Sequence, residues 1–339
     1  MRIAEEIIAG RRLGREDDLE FLLTTPLDEL TEAADHIRRA LCGNHMDLCV
    51  IINGRQGGCS ENCRFCSQSA HNHSGLKAGK FLAPEKITAD GEKYDRKGAD
   101  RYSIVTAGRG ISRPDLKKAL SAYSSLHERC PDMILCASHG IISDEDLAAL
   151  KMSGVTMYHE NIETSRRYFP EVCTTHSFDE KLDMIARAKS AGLSICCGGI
   201  IGMGETWEDR MDMGLTIAEI GADSIPINAL MPIPGTPFGD LPVLSEDEIL
   251  RSIALFRFLN PTAGIRVAAG RILMKEGGRR AFISGANAAL TGEMLTTAGN
   301  DMDQDLSMFH SMGFELRAFD KKRVNHFSYG IGDNSGSFK

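Results

Sequence analysis

From Met46 onward, short apolar runs alternate with amphipathic stretches about eight times, and this limits the possible folds more than any other feature of the chain. Met46–Asn53, Arg101–Val105, Met133–Ala137, Thr156–Tyr158, Ser194–Ile200, Ser224–Asn228 and Ile265–Ala268 read as strands, with Ala281–Ser284 as the last candidate. Helices fall between them, at Pro114–His127, Asp144–Met152 and Thr206–Ile220. Two more open at the capping boxes Ser177-Phe178-Asp179-Glu180 and Ser245-Glu246-Asp247-Glu248. Strand alternating with helix implies parallel β/α units, and largely apolar strands imply burial on both faces. The economical reading is α/β, a closed (β/α)8 TIM-type barrel; a doubly wound open sheet is the alternative. Residues 1–42 read as helical, with Leu27, Leu30, Ala34, Ile37 and Leu41 on one helix face. The expected division is therefore an N-terminal helical cap over 1–45, a barrel over 46–325 and a flexible tail over 326–339, rich in Gly and Ser.

A net charge of −8 with no basic stripe argues against nucleic acid as a partner. No apolar stretch approaches the ~18 residues of a membrane span, and the first residues, Met1-Arg2-Ile3-Ala4-Glu5-Glu6, do not read as a signal peptide. The expected location is the cytoplasm, where thiols stay reduced. Clustered cysteines among the ten then read as metal-binding or catalytic rather than as disulfides.

Three of them, Cys59, Cys63 and Cys66, form a C-x3-C-x2-C array on a loop leaving the first strand. Thiolates this close converge on one point and select iron–sulfur clusters, zinc or copper(I). Three ligands suit a four-iron cluster with one iron left open. A zinc site completed by His71 or His73 and a disulfide are the other readings. Barrel active sites lie at the C-terminal ends of strands. There, or in the lumen, stand Cys136 on strand three, Cys196 on strand five, Asn228 on strand six and Arg266 on strand seven. Cys49, inside the first strand, reads as a small buried hydrophobe.

The array, with Phe65 before its last cysteine, resembles that of the radical S-adenosylmethionine (SAM) superfamily. Further stretches resemble the biotin synthase family: Tyr158-His159-Glu160-Asn161-Ile162-Glu163-Thr164-Ser165, Cys173-Thr174-Thr175-His176, Cys196-Cys197-Gly198-Gly199, Ser224-Ile225-Pro226-Ile227-Asn228 and Ile265-Arg266-Val267. The resemblance implies a [4Fe–4S] cluster that binds SAM and cleaves it to a 5′-deoxyadenosyl radical. That radical takes hydrogens from dethiobiotin, and an auxiliary iron–sulfur cluster gives the sulfur. It also implies roles. Cys59, Cys63 and Cys66 hold the SAM cluster; Phe65, Thr106, Ala107, Asn161, Glu163 and Lys181 meet SAM; Asn161 and Asn228 meet the substrate. A flavodoxin- or ferredoxin-type reductant and a homodimer are implied as partners.

One departure stands out. The resemblance places an auxiliary-cluster cysteine on strand two, where this chain has Ser103. Either the auxiliary site is lost, or Cys136, Cys173 and Cys196 rebuild it with Arg266 or Cys197 as fourth ligand, around a [2Fe–2S] or a four-iron cluster with extra sulfide. Because adjacent strand residues face opposite ways, Cys196 rather than Cys197 should face the lumen. Related radical enzymes without sulfur insertion, of the hydrogenase-maturation or methylornithine-forming type, and a non-catalytic iron–sulfur or zinc protein are the alternative functions.

Overall fold

The structure is a computed structural model that describes residues 1–292 and 301–319; the expected tail, 326–339, lies outside them. Among the described residues nine parallel strands form one sheet: β1 Asp47–Arg55, β2 Arg101–Thr106, β3 Ile134–Ser138, β4 Val155–His159, β5 Ser194–Cys196, β6 Gly199–Ile201, β7 Ser224–Ala229, β8 Gly264–Val267 and β9 Ala288–Leu290. The order runs β5-β4-β3-β2-β1-β9-β8-β7-β6, and β5 also pairs with β7. β5 and β6 are two halves of one barrel strand, so the sheet is a closed eight-stranded barrel. The break falls at Cys197-Gly198. A Cβ on Gly198 would lie 2.0 Å from the Pro226 carbonyl oxygen, so β7 passes too close for any other residue.

Local signals hold well. Both expected capping boxes form, opening helices Phe178–Ser190 and Glu246–Leu259, and a third is made by Thr206 and Asp209. The last strand is the correction. Ala281–Ile283 ends a 3₁₀ stretch, Lys275–Ile283, that Ser284 caps, and β9 is the short run Ala288-Ala289-Leu290 instead. Left-handed backbone at Glu276, Gly277 and Gly278 turns the chain, and Phe282 packs against Phe309 with ring centroids 4.6 Å apart. A brief apolar run does not by periodicity separate strand from helical turn, and alanines carry little strand preference.

Of the N-terminal helices, Phe21–Thr24 and Leu27–Cys42 lie against the outer helix Glu246–Leu259, and Arg2–Ile8 packs on Leu27–Cys42. Leu30 and Ile37 are fully buried, each contributing roughly 1.5–3 kcal/mol. Exposed pairs such as Arg15–Asp212 are worth about 0–1 kcal/mol. Packing, not charge, holds the extension.

Candidate active site

Beyond β1 the chain turns through Gly57 and Gly58, both left-handed (φ 69° and 65°). A Cβ on Gly57 would stand 2.9 Å from the Lys77 carbonyl. The loop then satisfies its own backbone. Cys59 N–H donates to the Gln68 carbonyl (3.0 Å) and Ala70 N–H to that of Cys59 (2.8 Å). Asn72 Nδ2 donates to the Cys63 and Cys66 carbonyls (3.0 and 2.8 Å). The thiols of Cys59, Cys63 and Cys66 are left half-buried, and burial raises that of Cys66 to about 11. They deprotonate on meeting a metal. Near the end of β1, both polar side-chain atoms of Asn53 are buried without a protein partner, as expected beside a site built for a ligand. Three soft donors on a pre-formed loop fit a cluster with one iron open.

Cys173 does not join Cys136 and Cys196. Its Sγ, the Cys63 Sγ and a His176 ring nitrogen all lie within 4.8 Å of one another. The reason is the helical turn Phe169–Val172 after β4, which delivers Cys173-Thr174-Thr175-His176 to the mouth, onto the cysteine loop. Asn62 Nδ2 donates to Thr174 Oγ1 (2.7 Å), Thr175 Oγ1 to Glu61 Oε2 (2.8 Å), and His176 Nδ1 lies 2.5 Å from the same carboxylate oxygen. A hydrogen bond from the Cys63 thiol, then one from His176, holds the Cys173 thiol well below its ordinary range. This segment is a clamp on the loop.

A cavity of about 300 Å³ runs down the lumen from this loop. Phe65 and Cys66 line its upper end, together with Asn161, Glu163 and Asn228. Glu163 has left-handed backbone (φ 66°) without being glycine, a strain typical of functional positions. Gly199 permits it, since a Cβ there would lie 2.5 Å from the Glu163 carbonyl. Burial keeps the Glu163 carboxyl above its usual value. Asn161 accepts from Gly198 N–H (3.0 Å), while Asn228 donates to the Gly199 carbonyl (3.1 Å) and accepts from Ala269 N–H (3.1 Å). Each amide is thus oriented by strand-end backbone and keeps further donor and acceptor capacity for the cavity. Lys181 is buried against Glu160 (2.5 Å); burial opposes its charge, but Glu160, Glu163 and Cys63 outweigh it and keep it protonated. Thr106 Oγ1 bonds His139 Nδ1 (3.0 Å), Ala107 N–H donates to the Arg55 carbonyl (2.9 Å), and burial raises the Cys59 thiol although the backbone N–H of Gly108 works against it.

The lower end of the cavity holds Cys49, Cys136, Cys196, Ser103, His159 and Arg266. Cys197 is packed in the outer core instead. Asp47 bridges two buried guanidinium groups, Arg101 at 2.6 Å and Arg266 at 2.9 Å. Burial raises the Cys49 thiol to about 11 and pushes that of Cys136 higher. At Cys196 burial is overcome by His159 and Arg266, leaving that thiol below its ordinary value.

Comparison with known proteins settles the family. The Radical SAM superfamily model matches residues 54–216, and the Biotin and Thiamin Synthesis associated domain matches 226–315. Biotin synthase of Alkaliphilus metalliredigens is 56% identical over 93% of this chain and 99% of its own. That of Clostridium beijerinckii is 54% identical over the same shares. The chain belongs to the biotin synthase family. Members of the radical SAM superfamily carry a [4Fe–4S] cluster with SAM, and the half-buried thiols of the mouth loop are the set that fits it. In fold the chain is similar to methylornithine synthase, with a TM-score of 0.80 at 19% identity over 92% of this chain and 96% of that one. The hydrogenase maturase HydG follows at 0.72 and 17%, over 93% of this chain and 71% of that one. At such identities only the fold is shared.

Sequence reasoning missed Asp47, His159 and the lumen position of Cys49. Strand parity could have found Cys49, because it shares a face of β1 with Ile51, also in the lumen.

Proposed function

We propose that this chain inserts sulfur into dethiobiotin to give biotin, by radical chemistry started from SAM. The observation that carries this is a single cavity with one set of thiols at its mouth and another at its floor. When bound, the mouth cluster supplies the electron that cleaves SAM to a 5′-deoxyadenosyl radical, and an auxiliary cluster at the floor supplies sulfur. The chain's own residues do the rest. Cys59, Cys63 and Cys66 hold the first cluster, and Lys181 sets a positive charge beside Cys63 for the SAM carboxylate. Glu163 and Asn161, fixed by their contacts with Gly199 and Gly198, take the ribose hydroxyls. Asn161 and Asn228 offer donor and acceptor to a ureido ring. Phe65, packed beside Ile200 and Phe238, helps keep water from the radical's path. Cys136, Cys196 and Arg266 face the substrate from below.

In this reading a flavodoxin- or ferredoxin-type protein delivers the electrons, and the protein works in the cytoplasm as a homodimer. Anaerobic turnover with dethiobiotin, SAM and a reductant is the test. Biotin is the expected product; 5′-deoxyadenosine without biotin overturns the proposal.

A further inference from the structure

The thiols at the floor are placed by strand register, and the register arranges them in one ring. Cys49 on β1 pairs with Arg101 on β2, and two residues along β2, Ser103 pairs with Cys136 on β3. Cys136 pairs with Met157 on β4, and two residues along, His159 pairs with Cys196 on β5. Cys196 pairs with Ser224 on β7, and two residues along, Pro226 pairs with Arg266 on β8. Arg266 pairs with Ala288 on β9, and two residues along, Leu290 returns to Cys49. The circuit closes after four steps of two residues, which is the shear of eight of such a barrel. Cys49, Cys136, Cys196 and Arg266 are therefore one lumen layer, one side chain from each alternate barrel strand. Branched aliphatic residues ordinarily fill these layers. This one holds three sulfurs and a guanidinium.

Its surroundings suit an anionic, sulfur-ligated group. Asp47 sets one negative charge between the positive charges of Arg101 and Arg266, and thiolates on the ring add to the negative side. Ser103 stands one step above the ring, and its hydroxyl is a hard donor ill matched to iron–sulfide chemistry. Cys173 is at the mouth, with Cys63 and His176.

We propose that Cys49, Cys136 and Cys196 are the thiolate ligands of the auxiliary iron–sulfur cluster and that Arg266 completes their ring. Cys49 on the first strand takes the part that resemblance to the family assigns to the second. The inference rests on the sulfur-insertion reading and names which residues hold the sulfur source.

Anaerobic reconstitution of the full chain tests this through iron and sulfide content and Mössbauer spectra, none of which needs turnover. The unaltered protein is expected to hold a second cluster beyond the about four irons of one [4Fe–4S] cluster. Cys49→Ala and Cys136→Ala each bring the iron down to about four per chain while still cleaving SAM to 5′-deoxyadenosine; Cys173→Ala keeps both clusters. Cys49→Ser, closer in size, loses the second cluster or shifts its spectrum, which separates ligation from packing should the alanine variant fail to fold. A Cys49→Ser protein with unchanged iron and spectrum overturns the assignment. So does loss of the second cluster in Cys173→Ala. If the unaltered protein holds no more than about four irons, the sulfur-insertion reading falls with it.

Discussion

The two ends of the cavity hold cysteine in opposite ways. At the mouth, three thiols within eight residues sit on an irregular glycine loop, partly open and clamped by a segment from another loop. At the floor, thiols dispersed along the chain sit on strands whose register is locked on both sides. The mouth suits a group that must admit and release SAM at every turnover. The floor suits one held in a fixed place against the substrate. The two tasks are thus separated along one lumen, and each end should fail in its own way.

The sharpest break is Cys63→Ala. It should lower 5′-deoxyadenosine formation by more than about a thousandfold, roughly 4 kcal/mol of barrier, as read by chromatography. A floor thiol variant should spare that step and stop biotin. If both ends lose SAM cleavage equally, the division between them is wrong. Next is Asp47→Asn, which leaves Arg101 and Arg266 without the carboxylate that bridges them. Breaking a buried pair costs about 3–5 kcal/mol, so the urea midpoint should fall steeply. Burial alone would raise the Asp47 carboxyl, but the two guanidinium groups hold it far below its ordinary value. Its stabilisation is then fully present above about pH 4 and lost only as pH falls through the depressed value. The smallest effect concerns the clamp. Burial pulls His176 down, yet Cys173 and Glu61 leave it above its ordinary value. Its roughly 1 kcal/mol is therefore complete below about pH 6.5 and lost as pH rises through the raised value. Iron release from the mouth to a chelator should quicken as pH rises through that raised value, and His176→Gln should flatten that profile.

What could be read from the chain followed the range of each signal. Capping boxes at Ser177 and Ser245, and the array Cys59-Cys63-Cys66, lie within a few residues and depend on nothing distant. Cys196 over Cys197 followed from strand alternation alone. Cys173 was expected beside Cys136 and Cys196 but lies at the mouth, because a loop residue has no register: only the fold shows the turn Phe169–Val172 carrying it to Cys63. Cys49 looked like core because its meaning depends on which residues stand level with it on other strands. Ala288-Ala289-Leu290 was missed because its side chains say little, and only its pairing with β1 and β8 makes it a strand.

That last strand bears on how the protein is made. The barrel closes only when Ala288–Leu290 pairs with both β1 and β8, so a growing chain on the ribosome has long since exposed Cys59, Cys63 and Cys66 before any lumen exists. The floor ring can therefore take up iron and sulfide only after Ala288–Leu290 has been made, and a chain truncated before Ala288 should fail to mature at the floor.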